Sequence, residues 1–300
     1  MLRGARPPGV TTMTTDVPMR VRVAMSHAAV QVVADRAGVD LLHVKGAALD
    51  PSLSRPGRHG TDADVMVRPQ DASRTVSALC DSGWRRVNGF EGGSPFGHAA
   101  TLLHPVWGYA DVHRSFPGIT APPAVAFQRL WSDRYLRDIA GVACPVPSVP
   151  AQLMLLVLNA GRSSGADRMN GDLEATWSRA SDLEQAKVRA LVDELHAQVA
   201  FAAGAGGLGE FRHAREYALW RVLSEGGTRM EEWRARIRAA PTRRAALLLA
   251  LRAPLVNVDH LTSRLGRPPS RLDIAAEFFA RPGRGLTEEL RARRRRPRWS

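Results

Sequence analysis

The chain has 300 residues, 44% of them apolar, with 42 basic and 29 acidic side chains and a formal net charge of +13. That length suits one large domain or two smaller ones with a real core, and it contains no apolar run of about 18 residues or more that would cross a membrane. The charge alone points to nucleic acid, but six of the positive charges are arginines in the closing stretch RARRRRPRWS, and Lys45 and Lys187 are the only lysines.

Such an arginine bias reads as genomic composition and a solvated tail rather than a dedicated contact. Few aromatics lie among the arginines apart from Trp299, so stacking platforms for a nucleic acid are scarce. Cys80 and Cys144 form no C-x-x-C pair and the histidines are scattered, so neither a disulfide nor structural zinc is expected. The opening MLRGARPPGVTTMTTDVPMR is charged and broken by prolines. A secretory signal is not expected there, a cytoplasmic location is, and Met13, Met19 and Met25 are alternative starts.

In chain order, residues 1–20 read as disordered. VRVAMSHAAVQVVADRAGVD reads as a helix stopped by Gly38. DLLHV, from Asp40 to Val44, is a short strand that leads into Lys45-Gly46 and a helix start, and ADVMV, from Ala63 to Val67, is a second strand closed by Pro69. QDASRTVSALCDSG is a helix with Val76, Leu79 and Cys80 on one face, and WRRV, HAATLLH and YADVHRS are three further strands. PPAVAFQRLWSDR is a short helix, and the prolines of CPVPSVP then mark a boundary.

Beyond it the period is helical. QLMLLVL is apolar all round and reads as a buried helix, and RRAALLLALRAPLVNV is another, bent or stopped near Pro254. Ser181 and Glu184 form a capping box. Val188, Leu191, Val192, Leu195 and Val199 continue as one stripe. The expected organisation is α+β: a disordered segment over residues 1–20, a small mixed β-sheet flanked by helices over 21–145, an all-helical domain over 146–290, and a basic tail over 291–300.

The stretch HVKGAALDPSLSRPGRHGTDADVMVRP carries the chemistry. Side chains two apart in a strand share a face, with Cα atoms about 6.5 Å apart. Asp62 and Asp64 therefore project together, and so do Asp111 and His113 in YADVHRS. If the two strands are neighbours, three carboxylates converge. Two unpaired carboxylates about 4 Å apart repel by about 4 kcal/mol at an effective dielectric constant of 20. A hard divalent cation, Mg²⁺ or Mn²⁺, is the natural compensation, and a pair of such ions serves phosphoryl or nucleotidyl transfer. The alternative is that Arg55, Arg58 or Arg68 pairs the acids as exposed ion pairs. Lys45 and Gly46 favour the first reading, because a glycine at a strand–helix turn admits a phosphate close to the backbone.

These residues resemble an uncharacterised nucleotidyltransferase family with a KG…DxD…D signature, itself similar to the DNA polymerase β-type nucleotidyltransferase superfamily. The match is carried by LLHVKGAALDPSLSRPGRHGTDADVMVRPQDASRTVSALCDSGWRR and by YADVHRSF, and is specific over about residues 40–115. The resemblance implies a polymerase β-type core, metal binding by Asp62, Asp64 and Asp111, and backbone contact between Gly46 and a triphosphate, with Lys45 nearby. It implies Arg58 as a phosphate clamp, Asp111 as acceptor of the substrate's proton, and His113 as an acid–base or supporting group. Two departures stand out. Ala63 replaces a bulkier apolar residue between the acids. In LNAGRSSGADRMNGDLEATW, Asn159 stands where the family carries a histidine, while Asp172 remains.

The implied activity is metal-dependent transfer of a nucleoside monophosphate from an NTP, such as ATP, to an acceptor, with pyrophosphate released. The acceptor is a small molecule, a peptide or a protein, with an RNA end less favoured, and a natural-product or resistance role is the expectation. Two alternatives stand beside it: transfer of another group from a nucleotide-activated donor, and a non-enzymatic nucleic-acid binder that uses the arginine tail.

Overall fold

The computed structural model describes residues 17–54, 60–90, 96–163, 176–252, 255–256, 258–280 and 283–284. Helix α1 (Met19–Ala37) ends at Gly38, whose left-handed φ of 63° turns its N–H back to the carbonyls of Ala34 and Asp35. Met19 and Arg20 are thus helical, and the rest of the segment read as disordered begins outside the described residues. Strand β1 (Leu41–His43) follows, then β2 (Asp62–Val67), α2 (Ala72–Asp81), β3 (Arg85–Asn88), β4 (Ala99–His104) and β5 (Gly108–His113).

These five strands form one mixed sheet in the order β1-β2-β5-β4-β3. Only β2 and β5 run parallel, and their register sets Asp64 beside Asp111. The period-2 pattern gives the sheet two different faces. Ala63, Val65 and Val67 of β2 and Ala110 and Val112 of β5 pack under Val30 and Ala34 of α1 and Leu79 of α2. The alternate positions carry Asp62, Asp64, Asp111 and His113. On that side Met66 and Leu42 join a second buried cluster with Phe116 and the helices that follow. Each acidic side chain is therefore a consequence of the same alternation that fills the first core.

After α3 (Pro123–Ser132) comes a hairpin that the sequence does not announce, β6 (Tyr135–Ile139) and β7 (Val142–Val146). Its two-residue turn has positive φ at both Ala140 (54°) and Gly141 (82°). That geometry favours Asn-Gly, and alanine in the first place hides the signal. Cys144 to Val146, read as the start of a proline-rich boundary, belong to β7. Cys144 is buried there, which pushes its thiol up to about 12. Both cysteines are free thiols.

The remainder is helical: α4 (Val149–Ala160), α5 (Asp182–Glu194), α6 (Gln198–Ala205), α7 (Tyr217–Glu225), α8 (Arg229–Ala239), α9 (Arg243–Arg252), α10 (Val258–Leu265) and residues 271–280. The Ser181–Glu184 capping box is formed. The apolar stripe is interrupted after Leu195, because His196 takes a φ of 52° and ends the helix, which places Val199 in α6. Two further expectations are corrected. On α2 the buried side is Ala72, Thr75 and Leu79, and Cys80 is exposed. On α9 no residue is buried, and Leu247, Leu248 and Leu251 face outward. Pro254 lies outside the described residues. No described helix is long and apolar enough to cross a membrane.

Helices α4 and α6 cross closely because two glycines let them. A Cβ at Gly161 would meet Ala200 O at 3.0 Å, and one at Gly204 would sit 2.1 Å from Val157 O, inside the backbone itself. Gly204→Ala must therefore push the two helices apart. We expect a loss of about 3 kcal/mol, read as a lower urea midpoint. A variant as stable as the parent would show that the crossing is looser than described.

Candidate active site

Asp64 is the centre of the site. It is buried, and Lys45 Nζ lies 2.8 Å and His113 Nε2 2.7 Å from its Oδ1. The carboxylate accepts both bonds. Burial alone would raise its pKa, but the Lys45 charge and the His113 bond overcome that and hold it well below the usual carboxylate range. Asp64, Asp111 and His113 bring one ligand atom each to within 4.8 Å of one another. Asp62 is not a member of that group among the described residues, though its carboxyl senses both neighbours.

The other two acids behave oppositely. Asp62 is pushed up to about 6, first by burial and then by the charges of Asp64 and Asp111. Asp111 is also raised, first by burial and further by Asp64, against a hydrogen bond from Thr101. Among the described residues the cluster thus holds one acid paired with a cation and two that make no ion pair. Three carboxylates, two of them bonded only by threonine hydroxyls among the described residues, fit a hard divalent ion bound through oxygen, with Lys45 as the resident competitor at Asp64.

Of the other predicted residues, Lys45 and Gly46 are brought to the acids. Lys45 is extended, with φ −150° and ψ −178°, and Gly46 opens a single 3₁₀ turn, Gly46–Ala48, with a φ of 65°. The expected helix start is therefore one short turn and no longer. A Cβ at Gly46 would lie 3.5 Å from Asp62 O, and one at Gly60 would lie 3.3 Å from Gly46 Cα. Two glycine backbones thus touch beside the acids. Arg68 does not serve the cluster: it pairs with Asp40 and stacks 5.1 Å over the Phe127 ring. Arg55, Arg58 and Asp172 lie outside the described residues.

Beneath the turn runs a buried chain. Gln31 Nε2 donates to Asp35 at 2.7 Å, which aims Gln31 Oε1 at His43 Nε2, 2.9 Å away. His43 Nε2–H must then be the donor, so its Nδ1 accepts from His27 Nδ1–H at 2.8 Å. Burial keeps both rings neutral, lowering His27 to about 4 and His43 well below its ordinary value. Among the described residues His27 Nε2 is left buried without a hydrogen-bond partner, 3.5 Å from where a Gly46 Cβ would be.

Sequence reasoning missed two residues. His98 sits with its ring 5.1 Å from that of His113, and burial, followed by the charges of His113 and Arg162, lowers its pKa to about 2. Arg162, just past α4, donates from Nη2 to Asn159 Oδ1 at 2.7 Å and from Nη1 to neutral His98 Nε2 at 3.4 Å. Its signal was the i, i+3 spacing from Asn159, the position already marked as a departure.

No known family profile matches the sequence, and no curated protein matches it. Among solved structures it is similar to a lincosamide antibiotic adenylyltransferase, LnuA with lincomycin bound, at 18% identity and a TM-score of 0.32, over 54% of this chain and 92% of that one. It is similar to the antibiotic-resistance factor ANT(2'')-Ia at 14% identity and 0.35, over 64% and 95%. An antigenic nucleotidyltransferase-like protein from Paracoccidioides brasiliensis matches at 18% and 0.34, over 62% and 93%.

Two outcomes test the electrostatics. A carboxyl whose folded pKa is raised from 3.8 to about 6 binds more protons folded than unfolded between those values. It therefore lowers stability as pH rises through that window, and the penalty is full above it. Asp62→Asn removes the penalty. We expect that variant to be more stable at pH 7.5 by about 1 kcal/mol, a discounted value because Asp62 is half-buried, and no more stable at pH 3.5. Equal denaturation midpoints at pH 7.5 would refute the crowding. His27 has the opposite sign. With a folded pKa of about 4 against 6.5 unfolded, it contributes stability that is lost as pH falls from 6.5 towards 4. In His27→Leu, stability should fall less steeply between pH 7 and 5 than in the parent, and parallel curves would contradict a neutral buried ring.

Proposed function

We propose that the protein is a metal-dependent nucleotidyltransferase that moves a nucleoside monophosphate from an NTP to a nucleophile-bearing acceptor and releases pyrophosphate. The observation that carries this reading is the parallel, in-register pairing of β2 and β5, which sets Asp64 beside Asp111 with Asp62 one pleat away. Such crowding has no structural use, since apolar residues at those positions would stabilise the sheet more.

Asp62, Asp64 and Asp111 would hold Mg²⁺ or Mn²⁺, which when bound neutralises the phosphates and polarises the α-phosphorus. The chain's own groups have distinct parts. The Gly46 turn brings its backbone against the phosphates, because a side chain there would strain the positive φ. His113 fixes Asp64 by its 2.7 Å bond. Asp111, raised in pKa, accepts the proton of the attacking acceptor hydroxyl. The new bond joins that oxygen to the α-phosphorus, the bond to the β-phosphate oxygen breaks, and its electron pair leaves with pyrophosphate. Positioning and electrostatics account for catalysis.

On this reading residues 21–145 bind the nucleotide, and the helical segment from 146 onwards selects the acceptor. A small molecule, a peptide or a protein side chain each supplies a suitable nucleophile.

Incubation with each of the four NTPs and Mg²⁺ should release pyrophosphate in the presence of the true acceptor. Titration calorimetry should show NTP binding to the parent, weakened by about a hundredfold in Asp62→Ala/Asp64→Ala while thermal unfolding shows the fold intact. Parent-like binding by the double variant would defeat the reading. A product heavier by something other than a nucleoside monophosphate would leave the site and replace the reaction.

A further inference from the structure

The helical part of the chain puts one cation into the acidic site. Arg162 follows α4, and burial disfavours its charge, lowering its pKa, while Asp64 and Asp111 oppose the loss. Its guanidinium stays charged at any working pH. Three contacts fix it. Asn159, one helical turn before it, accepts from Nη2 at 2.7 Å. His98 accepts from Nη1 at 3.4 Å. The Phe116 ring lies with its centroid 5.9 Å from Cζ. Among the described residues Nε has no hydrogen-bond partner, although it is buried.

A half-buried guanidinium with donors unused is costly unless something completes them. None of its three contacts carries a negative charge. The carboxylates that favour it make no ion pair with it among the described residues. Lys45 leans on the other side of the problem: its Nζ is also 5.9 Å from the Phe116 centroid, and it is already paired with Asp64. Two cations thus flank one aromatic ring beside the acids, one engaged and one with a donor to spare.

We infer that Arg162, held in place by Asn159, binds the phosphate chain of the nucleotide, with Asn159 as its positioning residue. A planar fork suits phosphate oxygens, and each Nη keeps a second N–H beyond the one given to Asn159 or His98. The inference rests on the nucleotidyl-transfer reading for the nucleotide's identity, but not for the anion. It gives Asn159 a part, since a neutral acceptor fixes the arginine without competing for it. It also links the two parts of the chain, because a ligand that touches Lys45-Gly46 and Arg162 spans the sheet and α4.

Calorimetry on the whole chain with pyrophosphate, an NTP with Mg²⁺, and the nucleoside as separate probes tests this. Arg162→Ala should weaken pyrophosphate and NTP binding about tenfold or more, as expected for a lost charge-assisted pair, and leave the nucleoside within about twofold. Arg162→Lys should fall between, because it keeps charge without the fork, and it serves if the alanine variant does not fold. Asn159→Leu should lose affinity for the two phosphate ligands alone, which a merely structural role would not do. Unchanged pyrophosphate and NTP binding in folded Arg162 variants overturns the inference while leaving the transfer reading intact. Arginine-dependent pyrophosphate binding without any NTP turnover supports the inference and sinks the transfer reading. A parent that binds neither pyrophosphate nor NTP sinks both.

Discussion

Two carboxylates set side by side on neighbouring strands repel, and the parallel register of β2 and β5 leaves Asp64 and Asp111 no way apart. At an effective dielectric constant of about 20, charges 4 Å apart lose about 4 kcal/mol, a sizeable part of a domain's 5–15 kcal/mol net stability. Everything polar nearby answers that constraint. Lys45 and His113 both bind Asp64, so this acid stays ionised at any ordinary pH. Asp62 and Asp111 receive no such partner among the described residues, and their pKa values rise. The cluster is asymmetric: one anchored anion and two acids whose carboxyls are shifted towards the protonated form, a shift that a cation between them would oppose. Replacing Lys45 by a ligand-bound ion would relieve all three, since a divalent charge outweighs the ammonium.

The same sheet shows why the acids do not unfold the protein. Alternate residues of β2 and β5 bury Ala63, Val65, Val67, Ala110 and Val112 against α1 and α2. These side chains are small or β-branched and fit a pleated surface. The opposite face is apolar at Met66 and Leu42, where it joins the helical core through Phe116 and Phe127. Polar chemistry is thus confined to one end of one face, flanked by burial that supplies the stability the charges consume. Ala63, the small residue between the acids, is fully buried under α1 and α2 rather than idle, so the departure from a bulkier residue is a packing choice on the other face.

Much of this was legible. The strand pattern, the Asp-x-Asp face, the shared face of Asp111 and His113 and the Ser181 cap follow from period, spacing and capping rules. What was not legible has physical causes. The β6–β7 hairpin turns through Ala140-Gly141, a pair outside the usual turn vocabulary. The stripe over α5 is cut by His196 in the left-handed region, a place where sequence rules expect glycine or asparagine. The leucines of α9 alternate as a buried helix would, yet tertiary context leaves them outside. Arg162 escaped because its importance is long-range. Nothing in GRSSG says that its guanidinium meets His98, 64 residues earlier in the chain.

The Lys45-Gly46 turn is fixed from below as well as from the acids. Asp35 accepts from Gln31, Gln31 from His43, and His43 from His27, so one carboxylate at the end of α1 sets both imidazole tautomers. The chain can run only one way, because Asp35 cannot donate. It therefore delivers an acceptor, His27 Nε2, under Gly46, where the backbone leaves the sheet with a φ of 65°. The turn is thus set by a glycine that accepts its left-handed dihedral and that sits against a buried ring, whose lone pair lies 3.5 Å from the place a Cβ would take. Lys45, extended just before that glycine, points its charge at Asp64, so the cation stands on the face of the sheet that carries the acids.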